Sequence, residues 1–82
     1  ADADQLTALV GDALAASGAA LAFVDQEGGR VQRVRPPLAP RYPPAAAIGA
    51  LYADDPAAAR RAAYLCGYLI ARDLAPFGLN VP

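Results

Sequence analysis

The chain has 82 residues, a formal net charge of −1 and a hydrophobic content of 56%, which allows one small domain or a piece of a larger one. A charge this close to zero argues against nucleic-acid binding and against binding to anionic membranes, since both normally require a clear positive excess. The sequence has no histidine and one cysteine, which excludes Ser-His and Cys-His nucleophile pairs, histidine metal sites and an internal disulfide.

The first predicted elements are a helix over residues 4–17 and a strand over residues 20–24. Apolar side chains at helical spacing form one stripe along the helix: Leu6, Leu9, Val10, Ala13 and Leu14. Gly18 suits the left-handed residue that ends such a helix. The strand is predicted because five apolar residues are too few for a helix, and Phe23 and Val24 favour an extended backbone.

The end of this strand is the expected location of the chemistry. Its uninterrupted apolar run is typical of a strand that is buried on both faces in a parallel sheet covered by helices. Asp25 follows directly, at the carboxyl end where α/β sheets and barrels place ligand-binding residues. Gly28 and Gly29 then allow positive φ or close approach of the backbone.

A proline-rich segment and two helices are predicted next. Residues 35–44 are expected to form a stiff extended loop, because repeated prolines remove amide donors and fix φ. Pro44 opens a short helix that ends at Leu51. A longer helix follows, with Asp55 as its N-cap and Pro56 as its first residue.

The longer helix is expected to be amphipathic. Its buried face is predicted to consist of Ala59, Ala62, Cys66, Leu69, Ile70, Leu74 and Phe77. The opposite face is predicted to carry Arg60, Arg61, Tyr64, Tyr68 and Arg72. Pro76 and Gly78 end the helix, and residues 79–81 begin a second strand. The order helix, strand, loop, helix and strand predicts an α/β fold.

Each candidate side chain has an ordinary and a functional interpretation. Asp25 either caps the following turn or binds a ligand, and Glu27 either acts as an acid or binds an arginine or solvent. A catalytic Asp25/Glu27 pair is not favoured, because paired catalytic carboxylates must face each other across a bond at a defined separation. Cys66 is expected to be a small buried hydrophobe. A basic cluster is either solvated or holds one or two ligand-binding members: Arg30, Arg33, Arg35 and Arg41.

One run in this region matches a known signature. The sequence Val24-Asp25-Gln26-Glu27-Gly28-Gly29-Arg30-Val31-Gln32-Arg33 resembles that of the bacterial β-N-acetylhexosaminidases of glycoside hydrolase family three. The resemblance continues through residues 44–50, 71–74 and 77–81, so in effect it covers the whole chain. Its specific part is residues 25–33, because alanine-rich helices occur in many proteins.

The resemblance implies that residues 1–82 are a partial domain, an early segment of a (β/α)8 barrel whose remainder is its partner. It implies retaining hydrolysis of terminal β-linked N-acetylglucosamine, with peptidoglycan fragments as the source. Asp25 and Arg33 match substrate-binding positions of the family. The family's aspartate nucleophile and histidine-bearing acid/base loop lie beyond Pro82, so no catalytic residue is assigned. The alternative is a noncatalytic carbohydrate-binding or structural relative.

The expected location and partners follow from the same features. No apolar run reaches the ~20 residues that a membrane-spanning helix needs, and the first residues lack the order of a signal peptide. We therefore expect a cytoplasmic protein that binds a carbohydrate and neither nucleic acid nor a membrane. Neither a cofactor nor a metal is expected.

Overall fold

The computed structural model describes residues 2–18 and 21–82. These residues form a helix-rich unit with one two-stranded sheet. In chain order, its elements are α1 (Ala3–Ser17), β1 (Gln26–Gly28), β2 (Val31–Gln32), α2 (Ala45–Asp54), α3 (Pro56–Leu74) and a 3₁₀ turn (Ala75–Phe77).

Helix α1 confirms the first predicted element and begins one residue before the predicted start. The Asp2 side chain accepts a hydrogen bond from the Gln5 amide at 2.7 Å, and the Gln5 side chain accepts one from the Asp2 amide at 3.0 Å. This reciprocal capping box satisfies amides that the helix leaves unpaired. Gly18 ends the helix with φ of 66°, as predicted.

The apolar segment before Asp25 pairs with the last predicted strand. Phe23 and Val81 form a parallel bridge, in which the Val24 amide donates to the Val81 carbonyl at 3.0 Å. The Val81 amide in turn donates to the Ala22 carbonyl at 3.1 Å. A single parallel bridge therefore joins the two segments that were predicted as strands, in place of the full strands. Ala20, the first residue of the predicted strand, lies outside the described residues.

The prediction that this strand is buried on both faces was wrong for the described residues. Ala22 and Val24 pack against the core, whereas Phe23 is 70% exposed and Leu21 is also exposed. The difference arises because the described residues provide a covering layer on one side of the strand only.

The stretch after Asp25, predicted as a loop, contains a short hairpin. Strands β1 and β2 are antiparallel, with Gln26 opposite Gln32 and Gly28 opposite Val31, and the register shifts between the two pairs. Gly28 and Gly29 have φ of 80° and 57°, which is the left-handed region that glycine tolerates. The turn chemistry expected of the two glycines is therefore present, but it serves a hairpin.

The proline-rich segment departs from the extended form that was predicted. The Leu38 and Ala39 amides both donate to the Arg35 carbonyl, at 2.9 and 3.2 Å, which closes a turn. The Pro36-Pro37 peptide bond inside this turn is cis. Ala39 is buried in the core. This apolar contact holds the segment against the rest of the described residues.

Helices α2 and α3 form an adjacent pair. Helix α2 continues to Asp54, beyond the predicted end. Asp55 caps α3 by accepting a hydrogen bond from the Ala58 amide at 3.1 Å, and Pro56 is the first residue, as predicted. After the 3₁₀ turn, Gly78 ends the helical segment with φ of 83°.

The core confirms most of the predicted buried face of α3. The buried cluster consists of Val34, Ala39, Ile70, Leu74, Phe77 and Leu79. Ala59 is also buried, and Ala62 and Cys66 are half-buried. Leu69 was wrongly placed in the core, because it lies on the exposed side of α3 with Leu65 and Tyr68. Within residues 2–18 and 21–82, no helix is long and apolar enough to cross a membrane.

Candidate functional site

Asp25 and Arg33 lie together at one end of the strand segment. The Nη2 atom of Arg33 is 3.7 Å from Oδ2 of Asp25, and their side chains are 58% and 68% exposed. The Arg33 amide also donates to the Asp25 carbonyl at 3.2 Å. Exposed ion pairs contribute only about 0–1 kcal/mol to stability, so the pair leaves a carboxylate and a guanidinium accessible to a ligand at little cost to the fold.

The residue between them in the hairpin, Gln26, is 3% exposed. Its Oε1 atom accepts hydrogen bonds from the Arg33 and Val34 amides at 3.1 and 3.0 Å. Its Nε2 atom donates to the Val34 carbonyl at 2.8 Å. The buried side-chain amide therefore forms hydrogen bonds with the backbone of residues 33–34, which directly follow β2.

Gln32 plays a similar part on the other side of the hairpin and is 2% exposed. Its Nε2 atom donates to the carbonyls of Val34 and Pro40 at 2.9 and 2.7 Å. Its Oε1 atom accepts from the Tyr42 amide at 3.0 Å. These bonds hold the proline-rich segment against β2, because in a buried site water cannot replace them.

Tyr42 joins this segment to the hairpin turn and to α3. Its carbonyl accepts from the Gly29 amide at 2.8 Å, and its hydroxyl donates to the Asp73 carboxylate. Burial, and next the hydrogen bond to Asp73, raise the pKa of the Tyr42 hydroxyl to about 12. The phenol is therefore the stable form of this side chain at neutral pH.

The glycines of the turn allow this close packing. A Cβ atom on Gly28 would overlap the Pro43 carbonyl oxygen, and one on Gly29 would lie 2.7 Å from the Pro44 Cβ. The turn and the proline-rich segment are thus in direct backbone contact.

The other candidate residues do not converge on Asp25. Glu27, Arg30 and Arg41 are exposed, and the Nε atom of Arg35 donates to the Gln32 carbonyl at 2.7 Å. Of the four clustered arginines, Arg33 is the one for which the structure gives a contact with Asp25. Tyr64 and Tyr68 lie on the exposed face of α3 with their ring centroids 6.5 Å apart.

Sequence reasoning missed the two glutamines and Tyr42. In the structure, buried and exposed positions alternate along β1, so that Gln26 points inward and Glu27 outward. A glutamine at an inward position of a strand needs internal hydrogen-bond partners. Those partners are backbone atoms brought close by the fold, so their identity is not written in the local sequence.

The site is equipped to bind polar groups. A carboxylate accepts hydrogen bonds from hydroxyl groups and a guanidinium donates them, and such charge-assisted bonds are stronger than neutral ones. Among the residues that the structure describes, no group of three or more His, Cys, Asp or Glu side chains is placed to hold a metal ion. What the arrangement can do is recognise a hydroxyl-rich ligand.

Curated bacterial proteins are similar to this chain over most of its length. The chain is 41% identical over 78 residues to the β-hexosaminidase of Bordetella avium, an alignment that covers 94% of the chain and 22% of that protein. It is 38% identical over 81 residues to the β-hexosaminidase of Aromatoleum aromaticum, with 98% and 23% covered. The corresponding values for Thiobacillus denitrificans are 40% over 80 residues, 96% and 22%.

The chain is homologous to a segment of the bacterial β-hexosaminidases. It spans about a fifth of the length of the curated relatives it matches. This relationship confirms the resemblance that was drawn from the signature around Asp25. No family model matches the chain, and no solved structure matches it.

Proposed function

We propose that the polypeptide carrying this chain is a glycosidase that removes terminal β-linked N-acetylglucosamine, and that Asp25 and Arg33 bind the sugar. The observation that carries the proposal is the exposed contact between these two residues at the end of the paired strand segment. The name of the relatives, β-hexosaminidase, supports a hexosamine as the sugar.

The two side chains have complementary tasks in this proposal. The Asp25 carboxylate accepts hydrogen bonds from neighbouring hydroxyl groups, and Arg33 donates hydrogen bonds from a planar fork. A ligand that lacks those hydroxyl groups leaves the charges less well solvated, which gives the site its selectivity. Residues of the remaining polypeptide supply the nucleophile and the acid/base group, as the resemblance to glycoside hydrolase family three implies.

The proposed fold of the polypeptide is a (β/α)8 barrel. Its support is the parallel pairing of Phe23 with Val81, because α2 and α3 lie between them in the chain and make a strand–helix–strand crossover. Exposed apolar side chains on the uncovered face of the strand, such as Phe23, suit contact with a further layer. We further propose that the substrate is a peptidoglycan fragment and that the protein is cytoplasmic.

The test is Asp25→Asn in the polypeptide that carries the chain. The amide cannot supply a charged acceptor, a loss of about 1.5–3 kcal/mol per charged hydrogen bond, so kcat/KM for an aryl β-N-acetylglucosaminide should fall at least about tenfold. The melting temperature should change little, because the Asp25 side chain is exposed. Asp54→Asn, at an exposed position at the end of α2, is the matched control.

Each outcome of this test has a definite meaning. Unchanged kinetics in Asp25→Asn would remove the sugar-binding assignment. A parent protein that binds N-acetylglucosamine in calorimetry but releases none from the aryl glycoside would be the noncatalytic relative. A fall in kcat/KM that is absent from Asp54→Asn supports the proposal.

A further inference from the structure

We infer that Gln26 is a positioning residue for the sugar-binding pair, because its buried amide fixes the backbone of Arg33 beside Asp25. The inference rests on the proposed function, since it assigns Gln26 a role toward the ligand of the same site. Gln26 itself does not face the ligand, because its side chain is buried under the hairpin.

The contacts of Gln26 account for this role. Its Oε1 atom accepts from two successive amides, those of Arg33 and Val34, and its Nε2 atom donates back to the Val34 carbonyl. The side chain thus forms hydrogen bonds with both the amides and a carbonyl of one short backbone segment. Gln26 directly follows Asp25 in the chain. Its side-chain amide therefore links the backbone of Asp25 to the backbone of Arg33 through one hydrogen bond.

The side-chain contact between Asp25 and Arg33 does not provide this order. Their charged atoms are 3.7 Å apart and largely exposed, and an exposed pair of this kind gains too little energy to hold two flexible side chains in one geometry. The position of the Arg33 Cα atom therefore depends on its backbone amide, which donates to the Gln26 side chain at 3.1 Å and to the Asp25 carbonyl at 3.2 Å. Loss of the bond to Gln26 should enlarge the range of distances between the guanidinium and the carboxylate.

Gln32 offers a matched comparison within the same hairpin. It has the same side chain, is equally buried and also donates to the Val34 carbonyl. Its other partners are Pro40 and Tyr42, which lie further along the chain from the pair. A role in folding alone would make the two glutamines equivalent, whereas a positioning role makes only Gln26 specific for Arg33.

The substitution that separates these roles is Gln26→Met. It keeps the approximate length of the side chain but removes the oxygen that accepts from the Arg33 and Val34 amides, together with the donor to the Val34 carbonyl. Gln32→Met removes the same two groups at the other position, where their partners are Val34, Pro40 and Tyr42.

The experiment is a double-mutant cycle in the polypeptide that carries the chain. Calorimetry gives the Kd for N-acetylglucosamine of the parent, Gln26→Met, Arg33→Ala and the double variant, and a melting curve accompanies each. We expect Gln26→Met to raise the Kd about tenfold when Arg33 is present and less than about twofold when it is absent, since residues that act through one another are not additive. Gln32→Met should change the Kd by the same factor in both backgrounds.

The same measurements separate failure of the inference from failure of the proposed function. If Arg33→Ala and Asp25→Asn leave the Kd unchanged, the sugar-binding assignment is wrong. If they weaken binding but Gln26→Met acts equally with and without Arg33, only the positioning role is overturned. Should Gln26→Met not fold, Gln26→Asn replaces it in the cycle, because it keeps the amide and shortens its reach.

Discussion

The hydroxyl of Tyr42 donates a hydrogen bond to the carboxylate of Asp73, which joins the proline-rich segment to helix α3. The backbone of Tyr42 also contacts the hairpin, through the Gly29 amide at 2.8 Å and the Gln32 side chain at 3.0 Å. Three separate parts of the chain therefore meet at one residue. A change in α3 can reach the hairpin of the candidate site by this route.

Removing the Tyr42 hydroxyl should destabilise the protein without disturbing its core. In Tyr42→Phe the ring remains and the bond to Asp73 is lost, which we expect to lower the free energy of unfolding by about 1 kcal/mol. Urea denaturation of the polypeptide that carries the chain measures this. Tyr64→Phe is the control, because Tyr64 is 72% exposed and should have no effect; equal losses in both variants would contradict the prediction.

Burial of the Tyr42 hydroxyl, together with its bond to Asp73, should make the stability of the protein depend on pH in the alkaline range. The pKa of Tyr42 is raised from 10.0 to about 12 in the folded protein, so the fold favours the protonated phenol. Its contribution to stability is complete below pH 10 and is lost as the pH rises toward 12. Unfolding measured between pH 9 and 12 should show the difference between the parent and Tyr42→Phe shrinking over this window. A difference in stability that stays constant over this pH range would contradict the prediction that ionisation of Tyr42 destabilises the fold.

Substitutions of two glycines should change the stability of the protein in opposite directions. Gly28→Ala combines φ of 80° with overlap between the new Cβ and the Pro43 carbonyl, so it should destabilise the hairpin and weaken sugar binding together. Gly67→Ala in α3 meets nothing within 4 Å and should stabilise the protein by about 0.5–1 kcal/mol, because alanine favours the helix. Thermal melting of both variants checks the sign of each effect.

Two arginines of the basic cluster should differ in their effect on activity. Arg33→Ala should lower kcat/KM at least about tenfold, equivalent to ~1.4 kcal/mol, because Arg33 lies beside Asp25. Arg41→Ala removes the same charge from an exposed position and should have a small effect. An aryl β-N-acetylglucosaminide serves as the substrate for both. Equal small effects would favour a solvated cluster.

Local signals in the sequence predicted the end of α1 and the start of α3, but not the end of α2. Gly18, Asp55 and Pro56 act through neighbouring backbone atoms, so their roles depend little on the rest of the fold. Leu69 was placed wrongly because helical spacing alone does not say how wide the covered stripe of α3 is. The turn in the proline-rich segment was missed because the burial of Ala39 depends on residues far along the chain.

The candidate site divides in the same way. Asp25 and Arg33 were chosen from a specific sequence signature, and the structure brings them together, while their role in binding stays a prediction. Gln26 received no role because its partners, the backbone groups of residues 33–34, become neighbours only when the hairpin forms. Sequence patterns indicate which side chains are polar and inward, but the tertiary fold decides what they bind.

The parallel bridge between Phe23 and Val81 also bears on the order of folding. The hydrogen bond from the Ala22 amide to the Asn80 side chain spans 58 positions of the chain, and the entropy of closing so long a loop must be lost before this contact forms. The helices rest on local contacts and should therefore form first. A nascent chain that has left the ribosome only as far as α3 would thus carry the whole signature around Asp25, yet its strand would still lack the partner beside which Asp25 is placed.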